Sequence, residues 1–419
     1  MRNPLIATLL ELRGNPRACV YTEPLWGLSM NLCLPYASVY MLALGLSDLE
    51  VGLIATVYMI SQVVFAFLSG PITDKLGRRK TTAVFDFIAW CIPCLIWIRA
   101  EHFGYFLVAA LFNGAMKVPT NSWDCLMVED ADKSRITRIY SLVIVCGQLS
   151  ALFAPVSSFL VSRMTLVEAI RILYINAFVV MTTKLLLLYR FSQETATGRI
   201  RMRETRGKSI LSLVQGYGGV IQIMRNSPGT IFALIVSALV GAVGMINATF
   251  WQVLVSKKLL VPDPLLPLFP MARSLLSLAF FFTVIPRITK VHLKTPLLLG
   301  FAAYLLGQGI LVLTPTAQGI TYVMLGFSLL FDGFGAGILA MLAESLVALK
   351  VNAPERARVM ALQHMLIMGL TAPFGWIGGL LSSLSRDLPF VLTAGLLLTG
   401  FLATLGYYTR HPLSWKRSP

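Results

Sequence analysis

Charged residues are scarce in this chain, and their scarcity decides its class. Only 13% of the 419 residues are charged, while 56% are hydrophobic. A soluble domain of this length carries roughly a quarter charged residues. So few charges cannot cover the surface of a globule of this size in water, and the mean hydropathy of +0.75 agrees with that. We therefore expect an integral membrane protein.

Metal-binding, disulfide and catalytic patterns are also lacking. The six cysteines are scattered, and the CxxC pair Cys91 and Cys94 lies inside an apolar run with no second pair of ligands. A structural zinc site needs about four ligands, so we expect no metal and no cofactor. We find no serine, histidine and acid constellation and no glycine-rich phosphate loop of the Walker type. The sequence thus predicts neither an enzyme nor a nucleotide-driven pump.

Positive charge is abundant by comparison, since the formal net charge is +16. Most lysines and arginines lie in short segments between apolar runs, as in the cytoplasmic loops of membrane proteins. No nucleic-acid motif accompanies them, so we expect no nucleic-acid partner. The charge pattern predicts a multi-pass protein of the plasma membrane with both termini in the cytoplasm. The first 22 residues show no small-residue cleavage site, so we expect no removable signal peptide.

Twelve segments meet the requirement of about 20 mostly apolar residues for a spanning helix. They are 24–45, 50–72, 82–99, 104–127, 139–161, 168–189, 229–255, 264–285, 295–314, 319–345, 357–381 and 388–409. One long basic segment separates six spans from six others. The predicted domains are therefore a bundle at 1–190, a cytoplasmic linker at 191–228 and a bundle at 229–419. Apolar residues from Ile210 to Met224 recur at helical spacing, which favours a short interfacial helix over a mobile linker.

The loop between spans 2 and 3 carries a recognisable motif, GPITDKLGRRK, from Gly70 to Lys80. It resembles the signature loop of the major facilitator superfamily, and the six plus six spans with a long central loop are similar to that family. The resemblance implies an all-α membrane protein of two six-helix bundles with pseudo-twofold symmetry, which moves solute by alternating access. The glycine series of drug–proton antiporters and the proline-and-arginine signature of sugar porters are missing, so no subfamily is assigned.

The resemblance also implies a cytoplasmic gate, in which the aspartate and arginines of this loop latch the inner ends of helices. We expect Gly70 to let two helices approach closely and Gly77 to allow a tight turn. Asp74 is suited to accept hydrogen bonds or to pair with an arginine. The alternative is a basic loop whose positive charge fixes the membrane topology and which has no gating role. The candidate gating residues are Gly70, Asp74, Gly77, Arg78, Arg79, Glu129, Arg135, Arg138, Glu344 and Arg356.

Polar side chains inside the spans predict the route of the solute, because such groups are expensive in lipid and usually face water or each other. Lys117 lies twelve residues before Glu129, and Asp332 lies twelve before Glu344, so they occupy matching positions in the two halves. We expect them to form the electrostatic centre of a cavity between the bundles. The candidate cavity residues are Asn31, Asn113, Lys117, Asn121, Asn247, Trp251, Arg273 and Asp332.

Proton coupling needs a group whose charge changes as access alternates. Asp332 is the first candidate, because burial disfavours the charged carboxylate and a nearby lysine favours it. His364 is the second candidate, with packing as its alternative, and Asp124 either takes part in coupling or belongs to the latch. Arg273 would suit an anionic solute if it faces the cavity, and otherwise extends to the outer surface. We expect Lys184 to extend toward the inner surface in the same way.

The predicted function is secondary active transport of a small solute by alternating access, coupled to protons. The alternatives are a drug or metabolite efflux antiporter, an uncoupled facilitator and a non-transporting membrane sensor. The expected partners are a small-molecule substrate, membrane lipid and a proton or another coupling ion. We expect the protein to act as a monomer.

Overall fold

The protein is described by a computed structural model that covers residues 4–210, 228–283, 293–316, 319–350 and 356–410. Every regular element in these ranges is a helix. Nine of the described helices are long and apolar enough to cross a membrane: Asp48–Leu76, Arg78–Ile98, Ile136–Arg163, Leu166–Phe191, Gly229–Lys258, Lys294–Leu313, Ile320–Leu342, Leu362–Leu384 and Leu388–Arg410. The prediction of an all-α membrane protein is confirmed.

The first of two compact units contains Met1–Gly216 and Val261–Ser274. Its helices are α1 (Pro4–Glu11), α2 (Gly14–Cys33), α3 (Ala37–Ala43), α4 (Asp48–Leu76), α5 (Arg78–Asp86), α6 (Ile92–Ile98), α7 (Phe103–Gly114), α8 (Lys117–Val128), α9 (Ile136–Ser150), α10 (Ala154–Arg163), α11 (Leu166–Phe191) and α12 (Ala196–Glu204). Helix α11 packs against α2 and α6, α4 packs against α7 and α8, and α5 packs against α8. These contacts bring the polar residues of α2, α5, α8 and α11 into one core.

The second unit contains Tyr217–Leu260 and Leu275–Pro419. Its helices are α13 (Pro228–Val253), the larger part of α14 (Leu268–Thr283), α15 (Lys294–Leu313), α16 (Ile320–Lys350), α17 (Arg356–Thr371), α18 (Pro373–Leu384) and α19 (Leu388–Arg410). Helix α15 packs against α16 and α19, and α13 packs against α16, α17, α18 and α19. Helix α13 is thus the centre of this unit's packing.

Prolines divide several predicted spans into two helices. Span 4 ends as α7 at Gly114 and resumes as α8 at Lys117. Pro119 is the third residue of α8, where it has no N–H to donate and its ring crowds the carbonyl of Ala115. In span 3, Pro93 follows a stretch of π-helix at Phe87–Cys91 that joins α5 to α6. Span 4, predicted as the single segment 104–127, therefore consists of two helices.

The start of span 1 and the first part of the linker differ from the prediction. Span 1 begins at Gly14 rather than near residue 24, so the helix includes Glu23. The first part of the predicted linker forms α12, which is ordered and belongs to the first unit. Apart from Ile210, the expected interfacial helix lies outside the described residues. The domain boundaries 1–190, 191–228 and 229–419 stay a prediction.

Candidate functional site

A buried arginine joins three helix ends in the first unit. The side chain of Arg78, at the start of α5, is only 5% exposed. Its Nε donates to both carboxylate oxygens of Glu129, at 3.1 and 3.0 Å, and its Nη2 donates to Glu129 Oε1 at 3.0 Å. Its Nη1 donates to Asp74 Oδ1 at 3.0 Å. This forked, charge-assisted contact ties the ends of α4, α5 and α8 together.

The segment after α11 completes this arrangement by capping α5. The carboxylate of Glu194 accepts the backbone N–H groups of Arg78 and Arg79 at 2.9 and 3.0 Å. These N–H groups have no partner within the helix, and a carboxylate there is favoured by the helix dipole. The hydroxyl of Thr195 donates to Glu129. We call Asp74, Arg78, Glu129, Glu194 and Thr195 the Arg78 network.

The turn at Gly77 makes room for the capping carboxylate. Gly77 has φ of 85° and ψ of 165°, a conformation that only glycine adopts easily. A Cβ atom at this position would lie 2.5 Å from Oε2 of Glu194. The glycine is therefore required by its backbone angles and also by the closeness of Glu194.

The chain that follows Glu194 also rests on the same loop. The Thr205 hydroxyl donates to the carbonyl of Asp74 at 3.2 Å, and Lys75 Nζ donates to the carbonyl of Lys208 at 2.8 Å. The guanidinium of Arg79 donates to the carbonyl of Tyr189 and lies 3.9 Å from the centre of its ring. The beginning of the predicted linker is therefore bound to the signature loop at Glu194, Thr205 and Lys208.

The other candidate gating residues occupy different surroundings. Arg135 pairs with Glu11 of α1 at 3.1 Å, and Arg138 donates to Thr8 at 3.3 Å. Asp132 accepts the backbone N–H and the hydroxyl of Ser134, which holds the pKa of this exposed carboxyl below its usual value. The side chains of Glu344 and Arg356 lie outside the described part of the chain.

Gly70 does not behave as we expected. A Cβ atom added there would meet no atom of the described residues within 4 Å. The close helix approach that we expected at Gly70 is therefore wrong for the part of the chain that the structure describes. The short-range requirement for glycine in this loop lies at Gly77 instead.

The polar residues of span 4 have different roles. Asn113 is buried and donates to the carbonyl of Ala89 at 2.8 Å, and Asn121 donates to Thr73 at 3.2 Å. Both amides therefore bind neighbouring helices. Lys117 is half-buried, and no carboxylate in the described part of its own unit forms an ion pair with it. Asn31 is half-buried, and Arg273 is exposed.

A second buried charge cluster lies deeper in the first unit. Lys184 Nζ on α11 is 3.7 Å from Glu23 Oε2 on α2 and 3.8 Å from Asp86 Oδ2 at the end of α5. The side chains of Lys184, Glu23 and Asp86 are 5%, 14% and 8% exposed. Our expectation that Lys184 extends to the inner surface is wrong, because the two carboxylates hold its ammonium inside. We call these three residues the Lys184 triad.

In the second unit, Asp332 is the centre of a buried hydrogen-bond network. Its side chain is almost fully buried, and Oδ2 accepts the amide of Gln308 at 2.8 Å. The carbonyl of Gln308 accepts the hydroxyl of Thr393 at 2.7 Å, and Gln308 also exchanges hydrogen bonds with Asn247 at 3.3 Å. These residues, the Asp332 network, join α13, α15, α16 and α19. Trp251 is buried and His364 is exposed.

Several important residues were not among the sequence-derived candidates. Glu23 was missed because span 1 was predicted to begin one residue later. A glutamate before a proline at a helix start also gives no signal of a buried ion pair. Glu194 was missed because its role depends on a loop far away in the chain. Gln308 was missed because a single amide inside an apolar span gives no periodic signal.

The chain is similar to known proteins in sequence pattern and in fold. The model of the Major Facilitator Superfamily matches residues 25–368 of this chain. The nucleoside transporter NupG is similar in structure, with a TM-score of 0.74 and 15% identity over 96% of this chain and 100% of that one. A peptide transporter, POT, in complex with sulfate has a TM-score of 0.69 and 15% identity, covering 97% and 98% of the two chains.

A third similar structure is the human organic anion transporter MFSD10 (TETRAN). Its TM-score is 0.62, and its identity is 18% over 96% of this chain and 100% of that one. Comparison of the sequence with curated proteins gives no match. At such low identities the solved structures show the shared fold, while the family model covers most of the chain. The chain therefore belongs to the Major Facilitator Superfamily, and it is a membrane transporter rather than an enzyme.

Proposed function

We propose that this protein is a secondary active transporter that moves a small solute by alternating access and draws its energy from a proton gradient. The observation that carries this proposal is the burial of ionisable side chains inside the spans of both units. Asp332 is buried and accepts a hydrogen bond from the amide of Gln308, while Lys117 is half-buried and has no acidic partner in the described part of its own unit. Charges at such depth are costly unless function requires them.

The Arg78 network is suited to act as a gate, at the place in the first unit where α4 and α8 end and α5 begins. Its contacts are ionic and buried, so they are strong while their geometry is kept and are lost together when a helix end moves. Arg78 holds Glu129 and Asp74 at once, and Glu194 fixes the start of α5. A small displacement of α5 would break all of these contacts. Such cooperative contacts favour two distinct positions rather than a continuous range.

The charges of the candidate cavity residues favour a solute with an anionic group. Lys117 is half-buried in span 4, and Arg273 is exposed in span 8. An ammonium and a guanidinium both bind carboxylate or phosphate well. Among the similar structures, one carries nucleosides, one carries peptides and one carries organic anions, according to their names. We propose an organic anion, with Lys117 as its main cation and Asn31, Asn247 and Trp251 as further contacts.

An uptake experiment with purified protein in liposomes tests the proposal. The vesicles are incubated with a defined mixture of nucleosides, dipeptides, organic acids, amino acids and sugars, and their contents are measured by mass spectrometry. We expect at least one anionic metabolite to accumulate inside when a pH gradient is imposed. A protonophore should remove the accumulation, because it dissipates the gradient without touching the protein.

Vesicles without protein and vesicles with Lys117→Gln protein are the controls. The substitution should raise the concentration needed for half-maximal uptake at least tenfold, because the cation that binds the solute is missing. Equal entry with and without the gradient would show an uncoupled facilitator. Accumulation of a neutral or cationic metabolite alone would refute the anionic solute, and no entry of any class would refute the transport proposal.

A further inference from the structure

The Lys184 triad has one more negative group than positive ones. Two carboxylates, Glu23 and Asp86, face a single ammonium at nearly equal distances of 3.7 and 3.8 Å. With all three groups ionised, the triad would carry one unbalanced negative charge. An unbalanced charge inside a bilayer is expensive, and such a group usually takes up a proton instead of remaining charged.

The surroundings of the triad provide little other compensation. Among the described residues, Lys184 is the single hydrogen-bond donor that faces either carboxylate. No backbone N–H and no hydroxyl in the described part of the chain donates to Glu23 or Asp86. The indole ring of Trp123 lies 6.0 Å from Lys184 Nζ and covers the ammonium from one side. Ionised carboxylates are normally stabilised by several donors, and here these donors are lacking.

The other titratable groups around the triad provide no positive charge. Asp124 on α8 is a further acid of this region, and it has no ion pair in the described part of the chain. Thiols are uncharged near neutral pH, so the cysteines near the triad add no charge of either sign. The titratable groups that face the triad are Cys19 on α2, Cys91 in the π-helical stretch, Asp124 on α8 and Cys146 on α9. Lys184 therefore provides the positive charge of the cluster alone.

We propose that the Lys184 triad is a proton-binding site, in which Glu23 and Asp86 share one proton while Lys184 stays charged. The proton arrives on one carboxylate oxygen, and no covalent bond other than that O–H forms or breaks. The site lies within the first unit, between spans 1, 3 and 6. It is a second titratable site, separate from the Asp332 network of the other unit. Its role as the site of the coupling proton rests on the transport function proposed above.

Helix α5 connects this site directly to the Arg78 network. Arg78 is the first residue of α5 and Asp86 is the last, so the two lie about 12 Å apart along the helix axis. A stretch of π-helix begins immediately after Asp86, at Phe87. Such stretches are rare, and they are frequent at functional sites. Loss of the proton would strengthen the attraction of Asp86 to Lys184 and would move the same helix whose other end Arg78 and Glu194 hold.

Infrared spectroscopy of the purified protein near neutral pH tests the proposal, because protonated carboxyl groups have a carbonyl stretch that carboxylates lack. Charge balance predicts how many protons the triad holds in the wild type and in each variant. We expect the band of the triad to correspond to one group in the wild type and to none in Glu23→Gln or Asp86→Asn. It should double in Lys184→Gln, where two acids remain without a base. The double variant Glu23→Gln/Lys184→Gln should regain the wild-type intensity.

Matched controls distinguish this site from other acids. Glu101→Gln removes an exposed carboxylate and should leave the band unchanged. Asp124→Asn, introduced into the wild type and into each triad variant, should leave the differences in intensity between them unchanged. The elution profile in detergent shows which variants are folded. If Lys184→Gln does not fold, the two single acid variants still decide the question. An unchanged band in both Glu23→Gln and Asp86→Asn would overturn the proposal. The proposal would also fail if sodium ions removed the band from the wild type, because the triad would then bind sodium in place of a proton.

The transport role is tested separately with the metabolite that the wild type accumulates. Glu23→Gln and Asp86→Asn should lose accumulation driven by a pH gradient and should keep exchange of labelled for unlabelled metabolite. If the wild type accumulates the metabolite in response to pH while the infrared series is flat, the triad proposal fails and the transport proposal remains. If the infrared series is as expected and no metabolite responds to pH, the proposed coupled transport fails and the proton site remains.

Discussion

Two constraints favour glycine at position 77: its backbone angles and the lack of space for a side chain. Its backbone angles lie in a region that costs other residues on the order of 1–3 kcal/mol, and a Cβ atom would approach the carboxylate of Glu194. We expect Gly77→Ala to lower the thermal unfolding midpoint of the protein in detergent by several degrees. Differential scanning fluorimetry of the purified variants measures this.

Gly207 offers a matched control for the same change. It also has a positive φ, 80°, and a Cβ atom there would meet nothing within 4 Å. Gly207→Ala should therefore show the backbone cost alone, and Gly77→Ala should be worse by the cost of displacing Glu194. Equal midpoints for the two variants would mean that Glu194 moves aside freely and does not fix this turn.

Single residues differ in how well the sequence predicts their contacts. The requirement for glycine at 77 follows from local geometry, and a short motif is enough to predict it. Gly70 belongs to the same motif, yet a Cβ atom added there would meet no atom of a neighbouring described element within 4 Å. The two partners of Lys184 were not predicted, because Glu23 and Asp86 lie on helices that are far from Lys184 in sequence. Contacts of that kind depend on tertiary packing, which a local pattern does not contain.

Among the elements, the N-terminus of α5 is the one whose stability depends on a distant segment. Glu194 accepts two backbone N–H groups there, a contact of the type that contributes about 0.5–2 kcal/mol. We expect Glu194→Gln to weaken the capping and to release the chain that follows it. Limited trypsin digestion should then cut faster at the arginines of α12, because their helix opens more often.

Glu204 lies on the same segment and gives the control. It pairs with Arg201 at the surface, where both side chains are about half exposed, and such pairs contribute little to stability. Glu204→Gln should leave the rate of cleavage almost unchanged. If both variants are digested at the same rate, the capping contact of Glu194 is not what holds the segment in place.

Hydropathy predicted most of the spans because burying a helix in lipid requires a long apolar run. It did not predict their interruptions. Pro119 divides span 4 into α7 and α8, while Pro24 and Pro71 lie inside continuous helices. A proline inside a helix removes one hydrogen bond, and whether the helix then breaks depends on its neighbours. The break separates Asn113, near the end of α7, from Lys117, the first residue of α8.

Each of the two units contains a buried carboxylate centre of its own. The first has the Lys184 triad, in which an ammonium is already present. The second has the Asp332 network, in which the amide of Gln308 donates to the acid and is itself bound by Thr393 and Asn247. A carboxylate held by amides tolerates a change of charge better than one in a dry apolar site. The pairing of Lys117 with Asp332 stays a prediction, and it is the step that would link the charge state of one unit to the other.

Replacing Asp332 by asparagine tests that link, because the side chain keeps its size and loses its charge. The carbonyl oxygen of the new amide can still accept a hydrogen bond from Gln308, so the bundle should keep its packing. We expect Asp332→Asn to abolish accumulation driven by a pH gradient, since no proton is bound or released at that position. Exchange of labelled for unlabelled metabolite should continue, because it requires movement of the loaded carrier and no net proton transfer.

Asp387 provides the control within the same unit. It pairs with Lys258 at a partly exposed position near the helix ends, so Asp387→Asn removes an equal charge without touching the buried network. Accumulation should persist in that variant. If Asp332→Asn retains accumulation as well, the charge of Asp332 is not required for coupling, and the titratable group that couples transport to protons must lie elsewhere. Loss of exchange together with accumulation would instead assign Asp332 to solute binding or to the movement itself.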